Sequence, residues 1–538
     1  MRVAVPAFIA SEPEPVPTPR AAPMPPRFTA RLQRGPLAPM LALAAGLFAA
    51  LGFAPIGLFA CTLFGLALLV VLAEAAPRRA GVLGWAWGIG HFAFSVRWIA
   101  EAFTYQDKMP AELGWVVVLG LAALLAALPA LACWATWRFA RHAPAAARLW
   151  AFPAAWTACE WLRGHLFTGF PWNPLAAATL DVPGLAQPVA VVGQFGLSGF
   201  IALAAAALAL WRFRSALIAL AALAAATMLF TFTGALGIDP IGGGGTDKQP
   251  VVQLLIVQPN IGQQEKWSPG GGAYALRTLM ALSRRPAPTA TSRYILWPEV
   301  ALPENELEHE PRTRALLAKL LRPGDLLLTG GLSATRDAAG DAVAAANSVF
   351  VIDARGAILA RYDKSHLVPG GEYVPLRPLA DLLGLSRLAP GDIDFTAGPG
   401  PTTLEAAGLI PVGALVCYEI IFPGAIVDAA HRPVWLFNPS NDAWFADTGP
   451  WQHLALARLQ AIAEGLPIAR STPTGVSALI GPHGELIATL PQRQAGVIEY
   501  VLPPRAPTTL FAHTGNWMTL ALILAALGLA RRADRRRT

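Results

Sequence analysis

Eight stretches of this chain are apolar for about twenty residues each, and runs of that length leave the backbone few choices. Hydrocarbon is about 30 Å thick, and a helix rising about 1.5 Å per residue crosses it in about twenty residues. Inside lipid, each backbone N–H and C=O must be satisfied within the spanning structure. The runs lie near residues 37–54, 57–76, 81–103, 113–136, 146–163, 188–211, 215–236 and 515–530, and they read as membrane helices. The fifth is the least regular, because it contains Pro153, Glu160 and Arg163. Composition agrees. Only 14% of residues are charged, against about 25% in soluble domains.

Basic residues orient the runs. Arg78 and Arg79 lie between the second and third, Arg138, Arg141 and Arg148 between the fourth and fifth, and Arg212 and Arg214 between the sixth and seventh. Arg531, Arg532, Arg535, Arg536 and Arg537 follow the eighth. The opposite loops carry only Lys108 and Arg163. By the positive-inside rule both termini are cytoplasmic. The polar block between the seventh and eighth runs then faces the other side, the periplasm of a bacterium with two membranes. The net charge of +7 does not suggest nucleic acid, because the arginines cluster at the ends of apolar runs.

Four regions follow from these patterns. Residues 1–35 are rich in Pro, Ala and Arg and read as a disordered cytoplasmic tail. Residues 36–238 hold the first seven helices. Residues 239–510 form the polar domain, entered through the flexible Asp-Pro-Ile-Gly-Gly-Gly-Gly-Thr segment at 239–246. Residues 511–538 hold the eighth helix and a basic tail. Within the polar domain, β-rich runs at Val251–Gln258, Tyr294–Trp297, Leu326–Thr329, Ser348–Asp353, Val412–Cys417 and Val434–Asn438 alternate with helical stretches at 311–321, 376–384 and 451–464. That alternation suits one α/β domain with buried sheets.

Reactive side chains gather at the ends of these runs. Cys417 is the only cysteine of the polar domain and closes an apolar run, with Glu419 two residues on. Cys61, Cys133 and Cys159 lie in the membrane runs, so no disulfide pair is left for the polar domain. Glu299 follows a strand and precedes apolar residues, where desolvation raises a carboxylate toward general-base duty. Lys364 opens a loop that Glu372 closes, with Gly370 and Gly371 at its turn. Asn438-Pro-Ser-Asn-Asp-Ala-Trp-Phe445 is a polar loop after a strand. Singly, each has an ordinary alternative: a buried thiol acting as a small hydrophobe, a helix-start carboxylate, a surface ion pair, a turn. Jointly, a thiol, a carboxylate and an ammonium at strand ends of one domain suit acyl transfer through a thioester.

Trp297-Pro-Glu299, Lys364 and Cys417-Tyr-Glu419 resemble the Glu-Lys-Cys pattern of the nitrilase superfamily. Glu160-Trp-Leu-Arg-Gly-His-Leu-Phe-Thr-Gly-Phe-Pro-Trp172, His366-Leu-Val-Pro369 with Gly371-Glu-Tyr-Val-Pro375, and Ser440-Asn-Asp-Ala-Trp-Phe445 narrow the resemblance to the apolipoprotein N-acyltransferase family. It covers roughly residues 40–530 in matching order. Gly370, where the family usually has a bulkier residue, and the long Pro-rich tail depart from it.

The resemblance implies eight transmembrane helices carrying a periplasmic α-β-β-α nitrilase-like sandwich in the bacterial inner membrane. It implies transfer of a fatty acyl chain from a phospholipid to the α-amino group of a diacylated apolipoprotein, with no cofactor and no metal. Cys417 would be the nucleophile, Glu299 the base and Lys364 the oxyanion donor. Glu372, Tyr418 and Glu419 would support them. Trp267, Asn441, Trp444 and Phe445 would meet substrate, although Trp267 also fits an ordinary interfacial anchor. Arg97, Glu160 and Arg163 are charges in or near membrane runs. They fit a phosphate site, while Glu160 and Arg163, three apart, also fit a simple pair on one helix face. The rivals are a membrane-tethered amidase using the same three residues with water, a non-catalytic lipid-binding scaffold, and a transporter.

Overall fold

The computed structural model describes residues 32–105, 109–140, 142–210, 217–218, 250–286, 291–304, 306–382 and 394–535. Helices occupy seven of the eight apolar runs: Leu37–Ala50, Phe59–Ala75, Ala80–Ser95, Leu113–Phe139, Ala145–Arg163, Val189–Ala209 and Trp517–Arg535. The run at 215–236 and the tail at 1–31 lie almost wholly outside the described residues. Among the described residues, Leu113–Phe139 and Val189–Ala209 are long and apolar enough to cross a membrane unaided. Phe59–Ala75 and Pro77–Ser95 meet at a bend of 116°. Small residues bring the helices into backbone contact. A Cβ at Gly46 would lie 1.9 Å from the Trp87 carbonyl oxygen, and one at Gly90 would lie 2.2 Å from that of Leu43.

The polar half is built on two six-stranded sheets. The strands are β1 (Val252–Gln258), β2 (Ser292–Leu296), β3 (Leu326–Arg336), β4 (Ala342–Asp353), β5 (Ile358–Asp363), β6 (Thr403–Leu404), β7 (Val412–Ala414), β8 (Trp435–Pro439), β9 (Ile468–Ser471), β10 (Ser477–Ile480), β11 (Leu486–Leu490) and β12 (Gly496–Val501). The first sheet runs β12-β1-β2-β3-β4-β5 and the second β11-β10-β9-β8-β7-β6. Both have a parallel centre, β1-β2-β3 in one and β7-β8-β9 in the other.

Side chains alternate between the two faces of a strand, and this alternation makes the layers. Leu254, Ile256, Tyr294 and Leu296 of the first sheet share one core with Val412, Ala414, Trp435 and Phe437 of the second. The alternate residues Leu255, Val257, Ile295 and Phe350 pack outward with Leu279 of the helix Gly271–Ser283 and Leu317 of the helix Pro311–Ala318. On the other side, Leu415, Leu436 and Ile468 pack with Leu454, Leu459 and Ile462 of the helix Gly449–Glu464. The layers are therefore helix, sheet, sheet, helix, as a nitrilase-like sandwich requires. The same core continues from Gly449–Glu464 into Trp172, Leu175 and Leu197 of the membrane half.

Two expectations change. The extended run at 412–417 ends as a strand at Ala414, and Cys417 opens a short 3₁₀ turn, Cys417–Ile421. Glu419 enforces that turn, because its Oε2 accepts the Val416 N–H at 2.7 Å. Nor do Glu160 and Arg163 form an ion pair. Arg163, buried in the last turn of its helix, donates to the carbonyls of Phe170 and Trp172. Glu160 accepts from Leu175 N–H at 3.1 Å and Trp156 Nε1 at 3.2 Å.

Candidate active site

Three strand ends and one loop deliver the reactive groups. Glu299 follows β2 in a loop pinned to β3 by Trp297 N–H to Leu328 O and Ala301 N–H to Gly330 O. β3 can approach so closely only because residue 330 is glycine: a Cβ there would lie 2.7 Å from Glu299 Cα. Lys364 follows β5, its N–H held by the Asn347 carbonyl of β4 at 2.8 Å. Cys417 follows β7 at φ +54°, and Val300, next to Glu299, sits at φ +43°. Left-handed backbone at side-chain-bearing residues, especially a β-branched one, is a mark of a constrained site.

Lys364, Glu299, Glu372 and Cys417 are all nearly sealed from solvent. Lys364 Nζ donates to Glu372 Oε1 at 2.9 Å. Asn347 Nδ2 donates to Glu299 Oε1 at 2.7 Å and to Glu372 Oε1 at 3.2 Å, so one amide ties both carboxylates together. Glu372 Oε2 takes the Val368 N–H at 2.8 Å, closing the loop that contains Gly370 at φ +73°. The pair of Lys364 and Glu372 is thus buried, and the ordinary alternative of a surface ion pair does not hold. Glu299 Oε2 is buried and, among the described residues, has no hydrogen-bond partner. Lys266 Nζ, also buried, donates to the Glu299 carbonyl at 3.1 Å.

Glu419 does not face the thiol chemistry directly. Besides Val416 N–H, it accepts from Tyr362 OH, Ser365 N–H and Oγ, and His366 N–H at 2.8–3.0 Å, tying the elbow to the lysine loop. Tyr418 OH donates to the Gly169 carbonyl of the membrane half at 3.0 Å. Asn441 is buried, its backbone N–H acts to lower the Cys417 thiol pKa, and among the described residues its side-chain Oδ1 has no partner. Trp444 meets Tyr105 edge-on with centroids 5.9 Å apart. Phe445 lies 4.3 Å from Trp98 and 5.9 Å from Trp172, packed against the membrane half. Trp267 is 39% exposed at the end of the short helix Gln263–Lys266. Arg97 bonds its own helix at the Phe94 carbonyl and lies over the Phe94 ring.

The electrostatics divide the roles. Burial raises the Glu299 carboxyl above its ordinary range; Lys364 and Asn347 offset this and Glu372 adds to it. Burial, then the Glu299 charge, pushes the Cys417 thiol well up, against the pull of Lys364 and the Asn441 N–H. Burial would lower Lys364, but Glu372 and Glu299 outweigh it and raise it. The resting thiol is therefore protonated and needs a base, Glu299 is a carboxylate made more basic, and Lys364 stays cationic. Burial lowers Lys266 to about 8.

Sequence reasoning overlooked Asn347, Lys266, Tyr362, His453 and Arg470. Asn347 lies inside β4 and its burial was visible only once two carboxylates were placed beside it. His453 and Arg470 sit within apolar stretches, where a buried polar residue is the available signal. No group of three or more metal-ligating side chains occurs among the described residues. In the membrane half, a cavity of about 20 Å³ is lined by His91, Glu160, Arg163 and Asn173 among others. It is large enough for a single water.

Comparison with known proteins follows this division into halves. Residues 45–207 match the apolipoprotein N-acyltransferase N-terminal domain, and residues 256–505 match the carbon-nitrogen hydrolase family. An apolipoprotein N-acyltransferase of Rhodopseudomonas palustris is 34% identical over 517 residues, covering 91% of this chain and 94% of that protein. One of Caulobacter vibrioides is 35% identical over 502 residues, covering 90% and 93%. Among solved structures, an amidase of Nesterenkonia from the nitrilase superfamily matches with TM-score 0.35 and 18% identity, over 48% of this chain and 94% of its own. A Saccharomyces cerevisiae member of the nitrilase superfamily matches with TM-score 0.35 and 18% identity, over 49% and 93%. With both halves matched and the relatives aligned almost end to end, the chain belongs to the apolipoprotein N-acyltransferase family.

Proposed function

We propose that this protein moves a fatty acyl chain from a glycerophospholipid to the α-amino group of a diacylated apolipoprotein, in two half-reactions through Cys417. In the first, the thiol sulfur bonds the ester carbonyl carbon as Glu299 takes the S–H proton. Glu299 Oε2 is the oxygen left free for it. The tetrahedral intermediate collapses, the C–O bond breaks, and Glu299 returns the proton to the lysophospholipid oxygen. In the second, the amine attacks the thioester, the C–S bond breaks, and Glu299 passes an amine proton to the leaving sulfur. Lys364, cationic throughout, stabilises each oxyanion. Glu372 holds Lys364, and Glu419 and Tyr418 hold the elbow. Trp267, Asn441 and Trp444 line the approach.

The observation that carries this reading is a buried ammonium joined to a buried carboxylate through Glu372 and Asn347, with the buried thiol on an elbow that Glu419 ties to the lysine loop. Contact between that site and the membrane half, through Tyr418 and Phe445, favours lipid-borne substrates over a small soluble amide. The arginine distribution supports eight spans in the bacterial inner membrane, both termini in the cytoplasm and the sandwich in the periplasm. Incubation with phospholipid alone, followed by intact-mass spectrometry, tests the first half-reaction. One acyl group on Cys417, lost in Cys417→Ala, is the expected result; an unmodified wild-type protein would sink the reading.

A further inference from the structure

The nucleophile's backbone is gripped from behind. Cys417 at φ +54° occupies a conformation strained for a residue with a side chain, which persists only where its surroundings impose it. Its carbonyl oxygen faces two buried side chains, His453 Nε2 at 3.1 Å and Asn438 Nδ2 at 3.4 Å. His453 is wholly enclosed. Its Nδ1 lies 3.0 Å from Arg470 Nη2 and 2.9 Å from Asp442 Oδ1.

The Cys417 carbonyl fixes one proton of the ring. A carbonyl can only accept, so Nε2 carries a proton. Guanidinium can only donate, so Nδ1 has a ready donor in Arg470. Burial, then the Arg470 charge, holds the imidazole below its ordinary range, and Asp442 only partly offsets this. Nε2–H is present both in the neutral ring, whose Nδ1 accepts from Arg470, and in the charged ring, whose Nδ1–H reaches Asp442, so the carbonyl contact holds in either form. Asp442 also pairs with Arg470, at 2.6 and 2.7 Å. Nε2 is spent on the carbonyl, which leaves it no general-base role toward the thiol.

The clamp is anchored in the membrane half. Gln452, next to His453 on Gly449–Glu464, accepts from Trp172 Nε1 at 2.7 Å. Arg163 in turn holds the Trp172 carbonyl.

We propose that His453 is a positioning residue whose Nε2–H clamps the Cys417 carbonyl and so keeps the thiol in its left-handed elbow, beside Glu299 and the Asn441 N–H. This rests on Cys417 being the nucleophile, and a misplacement of about 1 Å at a reacting atom can cost about 10²-fold in rate. The test compares two amides in the full-length protein. In His453→Gln the amide nitrogen reaches about where Nε2 stood; in His453→Asn it falls a methylene short. Thermal unfolding in detergent confirms that both fold, and His453→Met, apolar and without a donor, replaces the Asn variant if that one does not.

Two rates are read: alkylation of Cys417 by iodoacetamide across pH, and acyl-enzyme formation from phospholipid with its apparent KM. The expected result is a fall of about 10²-fold in acylation for His453→Asn, with an unchanged KM, slowed alkylation and recovery in His453→Gln. Wild-type rates in a folded His453→Asn protein overturn the proposal. Equal losses in both variants overturn it too, because the ring would then matter and not its donor. If alkylation depends on the donor but no wild-type acyl-enzyme ever forms, positioning stands and the acyl-transfer reading falls.

Discussion

Lys364 is the residue on which most of the site's charge converges, so its removal should reveal two effects of different kind. Lys364→Met withdraws the proposed oxyanion donor, which should lower acyl-enzyme formation by about 10²–10³-fold. It also leaves Glu372 buried without its cation at 2.9 Å, and breaking a buried pair costs about 3–5 kcal/mol. The double variant Lys364→Met, Glu372→Gln should regain most of that stability and none of the rate. Denaturant melts paired with single-turnover acylation separate the two. Asn347 bears on the base instead. Its Nδ2 favours the charged form of Glu299 at 2.7 Å, while burial disfavours it. The base must be ionised to act, so activity falls as pH drops through the raised Glu299 value. Asn347→Leu removes the donor, raises that value further and should move the acid limb of the rate profile to higher pH. A limb that stays in place, or moves down, would show that Glu299 is not the group being titrated.

At the scale of elements, what was legible tracked burial. β1, the Tyr294–Leu296 part of β2, and β8 centre on short apolar runs, and the sequence places them to within a residue or two, while β7 stops three residues short of the expected Cys417. β5, β11 and β12 are edge or half-exposed strands carrying Arg361, Asp363 and Glu499, and β9 buries Arg470 and Ser471. No apolar rhythm announces such strands; tertiary partners make them. Glu299 and Cys417 stand out in the sequence because each follows an apolar run, and Lys364 because it opens a Gly-containing loop. The scaffold behind them does not, because Asn347, His453 and Arg470 acquire their meaning only across the fold. In the membrane half the helix positions followed from hydropathy, but their closeness depends on glycines with no sequence rhythm. Leu37–Ala50 and Ala80–Ser95 touch backbone to backbone at Gly46 and Gly90. Gly90→Leu should therefore force this pair apart and lower the melting temperature in detergent, whereas Gly120→Leu, where a Cβ meets nothing within 4 Å, should leave it unchanged. Static light scattering or intrinsic fluorescence during heating gives the comparison directly.

The whole molecule behaves as two halves that share one core. An outer-layer helix of a free sandwich keeps one face polar, and a helix enclosed on every side is a core helix. Gly449–Glu464 is of the second kind: Gln452, His453, Leu454, Leu456, Leu459, Gln460, Ile462 and Glu464 are all buried, leaving Trp451 and Arg458 partly open. One side lies on the second sheet and the other on the membrane half, where Gln460 Nε2 meets Gln194 Oε1 at 3.3 Å. Removing the membrane half would expose that apolar side and withdraw Trp172 from Gln452 and Gly169 from Tyr418. Residues 250–505 expressed alone should accordingly aggregate, or, if kept soluble by detergent, alkylate Cys417 more slowly than the full chain. Adding back the membrane half as a separate polypeptide should restore the rate if the contact itself is what matters. A monodisperse isolated domain with full-length reactivity would mean that the sandwich needs nothing from the helices beneath it, and that the shared core is a consequence of tethering and not a condition for the site.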